Sequence, residues 1–121
     1  MNPQNYKAGQ FDERPWGRWH VLDVMPRTVV KKLEVLPGKR ISLQRHRHRS
    51  ERWMVLDGVA TVQCDSQVYK IGPGEQVYLP KGCLHRLGNE EHKPVVIIEI
   101  QFGDILSEDD IERYNDDYGR I

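Results

Sequence analysis

Apolar residues in this chain recur mainly at every second position, the period of a strand with one face in the core and one in water. Within 28–36, for example, Val29, Leu33 and Val35 share one parity. The pattern predicts extended segments over 16–24, 28–36, 40–45, 52–56, 59–64, 68–71 and 94–102. The last of these, PVVIIEIQF, is the most apolar run and is predicted to lie deep in a sheet. Pro37-Gly38, Pro73-Gly74, Lys81-Gly82 and Gly88-Asn89 punctuate the segments as turns. Asp57-Gly58 falls between two predicted strands and predicts a hairpin. Only the end reads as a short C-terminal helix: Ser107 as cap, Asp110 three residues on, then Ile111 and Tyr114 at helical spacing. The polar residues 1–13 are expected to form a loose arm ahead of a single domain over 14–121. About eight short strands with regular turns mean an all-β sandwich or barrel.

A chain of 121 residues supports one core and leaves no room for a second lobe. Its mean hydropathy is −0.68. No run approaches the roughly 18 apolar residues of a spanning helix. Met1 to Lys7 lacks the apolar stretch of a secretory signal, so the expected location is the cytoplasm, without membrane contact. Cys64 and Cys83 are too few for a disulfide framework and read as buried thiols in a reducing compartment. Lys and Arg number 18 against 18 Asp and Glu, a balance that argues against nucleic-acid binding.

Candidate chemistry gathers in two segments bounded by Gly and Pro. The first runs from Pro37 to Gly58 and holds Gln44, His46, His48 and Glu51. If extension persists, Gln44, His46 and His48 share one face. Imidazole nitrogen and carboxylate oxygen suit Zn, Fe, Mn or Ni. The second segment runs from Gly74 to Asn89, and its Pro80 and Gly82 form a turn that delivers His85 into the next strand. Pairing of the two segments would bring His85 across from His46. His20 and His92 lie outside both and read as ordinary strand or surface residues.

Gly38, Gln44, His46, Glu51 and Gly58 resemble the first cupin motif, with Gln44 in place of its usual first histidine. Gly74, Pro80, Gly82, His85 and Asn89 resemble the second. More narrowly, the chain is similar to the C-terminal cupin of type II mannose-6-phosphate isomerases, usually fused to a mannose-1-phosphate guanylyltransferase. The shared words are Arg14-Pro15-Trp16-Gly17, Ile41-Ser42-Leu43-Gln44, His46-x-His48-Arg49-x-Glu51-x-Trp53, Ile98-Glu99-Ile100-Gln101, Glu108-Asp109-Asp110-Ile111 and Tyr118-Gly119-Arg120. The chain departs at Ile105-Leu106-Ser107, where the family more often has an aromatic-Leu-Gly run. It also lacks the guanylyltransferase domain: no GxGxRL nucleotide loop occurs, so nucleotidyl transfer is not expected.

The resemblance implies a cupin double-stranded β-helix, or jelly roll, acting as a stand-alone, metal-dependent aldose–ketose phosphate isomerase on a phosphorylated hexose. It implies one divalent ion, zinc first and Mn, Fe, Co or Ni as alternatives, held by Gln44, His46, Glu51 and His85. A second shell replaces Gln44 with His48. Arg49 matches the family's arginine between histidine and glutamate and is expected to contact substrate. Candidates for the base are His48, Glu99 and Lys81. Glu99 and Gln101 share the parity of Val95 and Ile97, and a carboxylate there is costly unless it is paired or faces a polar cavity. Arg40, Lys81, Arg86 and Arg120 are candidates for holding phosphate. Trp16 and Trp19 read as core, and Trp53, beside Glu51, is the one tryptophan suspected of facing a sugar. The rival readings are a sugar- or sugar-phosphate-binding cupin without turnover and an Fe(II) dioxygenase. A homodimer is expected, since a flat sheet face invites pairing.

The neutral total is not evenly spread. From Lys31 to Arg52 eight basic residues stand against two acids, a net of +6. From Asp104 to Ile121 seven acids stand against two arginines, a net of −5. A basic motif region suits an anionic substrate, with the acidic tail partly screening it.

Overall fold

A computed structural model describes residues 6–120. Among these residues there are eleven strands and no helix. They are β1 (Phe11–Arg14), β2 (Gly17–Met25), β3 (Thr28–Val35), β4 (Leu43–Arg45), β5 (Arg49–Asp57), β6 (Ala60–Cys64), β7 (Gln67–Ile71), β8 (Gln76–Leu79), β9 (His85–Gly88), β10 (Val95–Gly103) and β11 (Glu112–Asn115). They form a six-stranded sheet, β1-β2-β3-β10-β5-β8, and a five-stranded sheet, β11-β4-β9-β6-β7. Every pairing is antiparallel, and the core includes Val21, Val29, Leu33, Val55, Val62, Leu87 and Ile97. Each such side chain contributes about 1.5–3 kcal/mol by leaving water.

Period-two alternation places the site as well as the core. On β3 the inward residues are Val29, Lys31, Leu33 and Val35; on β10 they are Val95, Ile97, Glu99 and Gln101; on β5 they are Arg49, Glu51, Trp53 and Val55. Register aligns Leu33, Ile97 and Val55 in one row, Lys31, Glu99 and Trp53 in the next, and Val29, Gln101 and Glu51 in the row after. The inner face of the large sheet therefore changes from apolar to polar part-way along its strands. The polar half is the floor of the candidate site.

Four expectations are revised. The predicted C-terminal helix is absent: Ser107 Oγ accepts from the Asp109 amide and Asp110 N–H reaches Ser107 O, making one turn, after which the chain enters β11 against β4. The capping chemistry is real, but Asp110 spends its carboxylate on the amides of Arg47 and His48 instead of on a helix. Asp57-Gly58 does not join a hairpin, because β5 and β6 belong to different sheets. Gly58 is required there by a φ of +82° and by Pro94 O, 2.7 Å from where a Cβ would stand. Residues 6–13, expected to be loose, pack onto the sheet through β1 and a buried Tyr6; residues 1–5 of that arm lie outside the described residues. Finally, the short strands β1, β8 and β11 were not predicted, since each offers too few alternating positions to register as a pattern.

Candidate metal centre

His46, Glu51 and His85 converge, with one ligand atom from each lying within 4.8 Å of the others, and all three are buried. Three elements supply them. His46 follows β4, Glu51 lies on the inner face of β5, and His85 opens β9. The register between β4 and β9 sets Gln44, not His46, opposite His85, while the imidazole rings of His46 and His85 stand 5.0 Å apart.

Neighbouring carbonyls fix both tautomers. His46 Nδ1–H donates to Asp110 O at 2.6 Å, and His85 Nδ1–H donates to Cys83 O at 3.2 Å. A carbonyl only accepts, so both Nε2 atoms carry lone pairs. These face the Glu51 carboxylate, 3.3 Å away for His46 and 3.8 Å for His85. His85 Nε2 is buried and has no hydrogen-bond partner among the described residues. Lone pairs turned towards a carboxylate, with carbonyls bracing the far side of each ring, fit a divalent cation. Burial first, then Arg49, lowers the His46 pKa to about 4, so the ring is neutral at pH 7 as a ligand must be. Burial likewise lowers His85. It opposes ionisation of Glu51, but the charges around that carboxylate outweigh it and hold the group well below its ordinary range. With the histidines neutral, Arg49 is the cation responsible, its Nε donating at 2.8 Å. Trp53 is buried, donates its indole N–H to Glu51 Oε1 at 3.2 Å and packs edge-on against His85.

Gln44 stands beside the cluster, its amide nitrogen 3.3 Å from His46 Nε2 and its oxygen 2.7 Å from Ser42 Oγ. Turning the amide exchanges the two, and Ser42 accepts as readily as it donates. His48 is exposed instead, on a surface groove with Arg45, Arg47, Lys81 and Gly82. The extension that would have aligned it with His46 ends at Arg45, where Asp110 bends the chain.

A cavity of about 60 Å³ adjoins the cluster, lined among others by Gln44, His46, Arg49, Glu51, Glu99 and Arg120. Arg49 is fully engaged: besides Glu51 it donates to Ser107 O at 3.0 Å and approaches His46 Nε2 at 3.3 Å. It is therefore placed to position ligands. Glu99 is raised to about 8 by burial and then by Glu51, against the opposing pull of Lys31, Arg49 and Gln101. Gln101, fully buried, donates to Glu99 Oε1 at 2.7 Å. The expected phosphate contacts separate. Arg40 is exposed and paired with Asp117 at 2.8 Å, Lys81 lies on the groove with His48, and Arg86 is committed to Ile41 O and to Asn115. Arg120 lines the cavity but is held by Asp116 at 2.7 Å.

Lys31, Glu108, Trp19 and Arg113 also line the cavity and were missed. The inward parity of Lys31 with Val29 and Leu33 was visible in the sequence; the positions of the other three depend on tertiary packing. Lys31 Nζ bonds Glu108 at 3.0 Å and Tyr6 Oη at 3.3 Å, and lies 4.4 Å from the Trp19 ring. Cys64 and Cys83 are free, and burial pushes the Cys83 thiol up to about 12.

Residues 2–116 match the family described as mannose-6-phosphate isomerase C-terminal. The chain belongs to this family. Alginate biosynthesis protein AlgA of Pseudomonas aeruginosa is 46% identical over 107 residues, 88% of this chain and 22% of AlgA. Mannose-1-phosphate guanylyltransferase of Escherichia coli is 41% identical over 108 residues, 89% of this chain and 23% of that protein. The chain thus spans less than a quarter of the length of these relatives. Among solved structures, a double-stranded β-helix protein from Klebsiella pneumoniae superposes with a TM-score of 0.70 at 17% identity, covering 92% of this chain and 90% of that one. A Lactobacillus farciminis oxalate decarboxylase superposes at 0.74 with 18% identity, covering 86% of this chain and 33% of that one. These likenesses establish the cupin fold.

Proposed function

We propose that this cupin interconverts an aldose phosphate and a ketose phosphate, with mannose 6-phosphate and fructose 6-phosphate as the pair. The observation that carries the reading is the buried His85 Nε2, without a partner among the described residues, clustered with Glu51 and His46, which line a cavity whose wall also holds Glu99. His46, Glu51, His85 and Gln44 would hold the ion, zinc first for a nitrogen-and-oxygen shell, with Mn, Fe, Co or Ni as alternatives. A divalent ion bound there supplies an electrophile that stabilises enediolate charge. Isomerisation moves a proton between C2 and C1, and Glu99, poised near neutral pH, takes and returns it. Gln101 orients that carboxyl, and Arg49 holds Glu51 in place.

At the cavity wall, Lys31 and Tyr6 hold Glu108. The reading includes a cytoplasmic homodimer. Met54, Leu56, Tyr78, Ile100 and Phe102 are exposed on the outer face of the large sheet, an apolar surface suited to a second copy.

The test is conversion of mannose 6-phosphate to fructose 6-phosphate by protein reconstituted with Zn, Mn, Co or Fe. Turnover with any of them supports the isomerase. Sugar-phosphate binding without turnover leaves a binding module, and oxygen uptake with Fe(II) leaves a dioxygenase.

A further inference from the structure

The fold brings together a pair of nucleophilic side chains that the isomerisation does not use. Cys64 ends β6 and Cys83 lies in the turn before β9, and both are free thiols. Register sets Cys64 across from His85. One step on, Asp65 and Leu84 clamp each other: Asp65 N–H donates to Leu84 O at 2.7 Å, and Leu84 N–H donates to Asp65 Oδ1 at 3.0 Å. The clamp brings Cys83, the residue before Leu84, to Cys64, where Cys83 belongs to the apolar core and Cys64 packs against it. The two thiols share a hydrogen bond, and burial first, then Cys64, keep Cys83 protonated. Cys64 is half-buried and Cys83 buried, so a small solute reaches Cys64 first.

Cys83 also touches the candidate metal centre. Its carbonyl accepts the His85 Nδ1–H at 3.2 Å, and its Sγ lies 3.7 Å from the same nitrogen. The brace that fixes the His85 ring therefore belongs to a residue with an oxidisable sulfur.

We propose that Cys64 and Cys83 are an oxidation site for hydrogen peroxide, and that the disulfide they form weakens ion binding by shifting the brace on His85. The proposal goes beyond the isomerase reading and takes from it only the ion site. Cys64, as thiolate, attacks the peroxide: an S–O bond forms, the O–O bond breaks, and the departing oxygen takes up the Cys64 proton and leaves as water. Cys83 then attacks the Cys64 sulfur. The S–S bond forms, the S–O bond breaks, and the hydroxyl leaves with the Cys83 proton as a second water. Sulfur loses the two electrons that the peroxide gains.

The new bond is about 2.05 Å long, shorter than a thiol hydrogen bond, so one cysteine must move. Cys64 is held between β7 and β9, paired with Gln67 and His85. Cys83 sits in a turn, its N–H on Pro80 O at 3.2 Å, and takes the movement together with its carbonyl.

The experiment treats zinc-free protein with hydrogen peroxide, removes the excess, and compares it with reduced protein and with Cys64→Ser. Thiol titration, peptide mapping by mass spectrometry and zinc calorimetry are the readouts. Wild type should lose both thiols, yield a linked Cys64–Cys83 peptide and bind zinc about 10- to 100-fold more weakly, the cost of disturbing the partner of a metal-ligating histidine. Dithiothreitol should restore the thiols and the affinity, and peroxide-treated Cys64→Ser should bind zinc as reduced wild type does. If Cys64→Ser does not fold, Cys64→Ala carries the same comparison. Sulfinic acid on Cys64 without a bridge, or a bridge between two chains, overturns the oxidation site. An internal bridge with unchanged zinc affinity overturns the link to His85, as does an equal loss of affinity in peroxide-treated Cys64→Ser. Reduced wild type that binds no zinc removes the ion site itself, and the link with it.

Discussion

Cations from one basic stretch of sequence meet two different fates in the fold. Arg40 and Arg47 point outward, with side chains 47% and 64% exposed, and are answered by Asp117 and Glu112 of the acidic tail. Lys31 and Arg49 point inward, with side chains 4% and 5% exposed, and meet Glu108 and Glu51 at the cavity. The outer pairs sit in water, where such contacts are worth little. The inner ones act at low dielectric, where removing one partner leaves an uncompensated charge. The net +6 of Lys31 to Arg52 is therefore not one field that draws a phosphate. The tail answers the outer cations, and the inner ones stand at the cavity, paired with Glu108 and Glu51.

The most severe test of the inner set is His85→Ala. It should abolish stoichiometric metal, measured by elemental analysis, and take turnover below detection; full metal occupancy in this variant would sink the proposed shell. Glu99→Gln should keep the metal but lower kcat by about 10²- to 10⁴-fold, as loss of a general base does. The same group gives a pH signature in the metal-free protein. A carboxyl raised from 4.5 to about 8 binds its proton more tightly when folded, so its stabilising contribution is present below pH 4.5 and is lost as pH rises towards 8. Thermal melts of wild type and Glu99→Gln should diverge across that window, and parallel curves would count against a buried, raised Glu99. Arg49→Ala should destabilise the fold by about 3–5 kcal/mol in chemical denaturation, because Glu51 is left buried and unpaired. It should also weaken metal retention, which a mere substrate contact would not do. Smallest of all, Arg40→Ala should change neither kcat/KM nor the melting midpoint measurably, since its pair with Asp117 is exposed. A large effect there would erase the distinction between outer and inner cations.

Much of this was legible before folding, and the misses have physical causes. The long strands β2, β3 and β10 carry enough alternating positions to declare themselves, and parity on β10 already set Glu99 and Gln101 on the core face. Turn chemistry bracketed His46, Glu51 and His85, which the fold brings together. His48 was grouped with His46 by parity alone, and parity fails where a strand ends; the end is imposed by Asp110, distant in sequence. The same long-range contact explains the mistaken helix, whose local capping signals are satisfied by a single turn. Arg113 was hidden by that error, because a helical reading gives it no neighbour on β4.

By itself, then, the sequence determined the period-two strands, the turns between them and which residue types could bind an ion, because each depends on local geometry and side-chain chemistry. Tertiary structure alone decided which cations face the cavity, that Gln44 rather than His46 lies across from His85, and that Arg113 Nε is left without a partner among the described residues. Those outcomes depend on sheet register and on contacts across the barrel, and no local pattern in the chain encodes either.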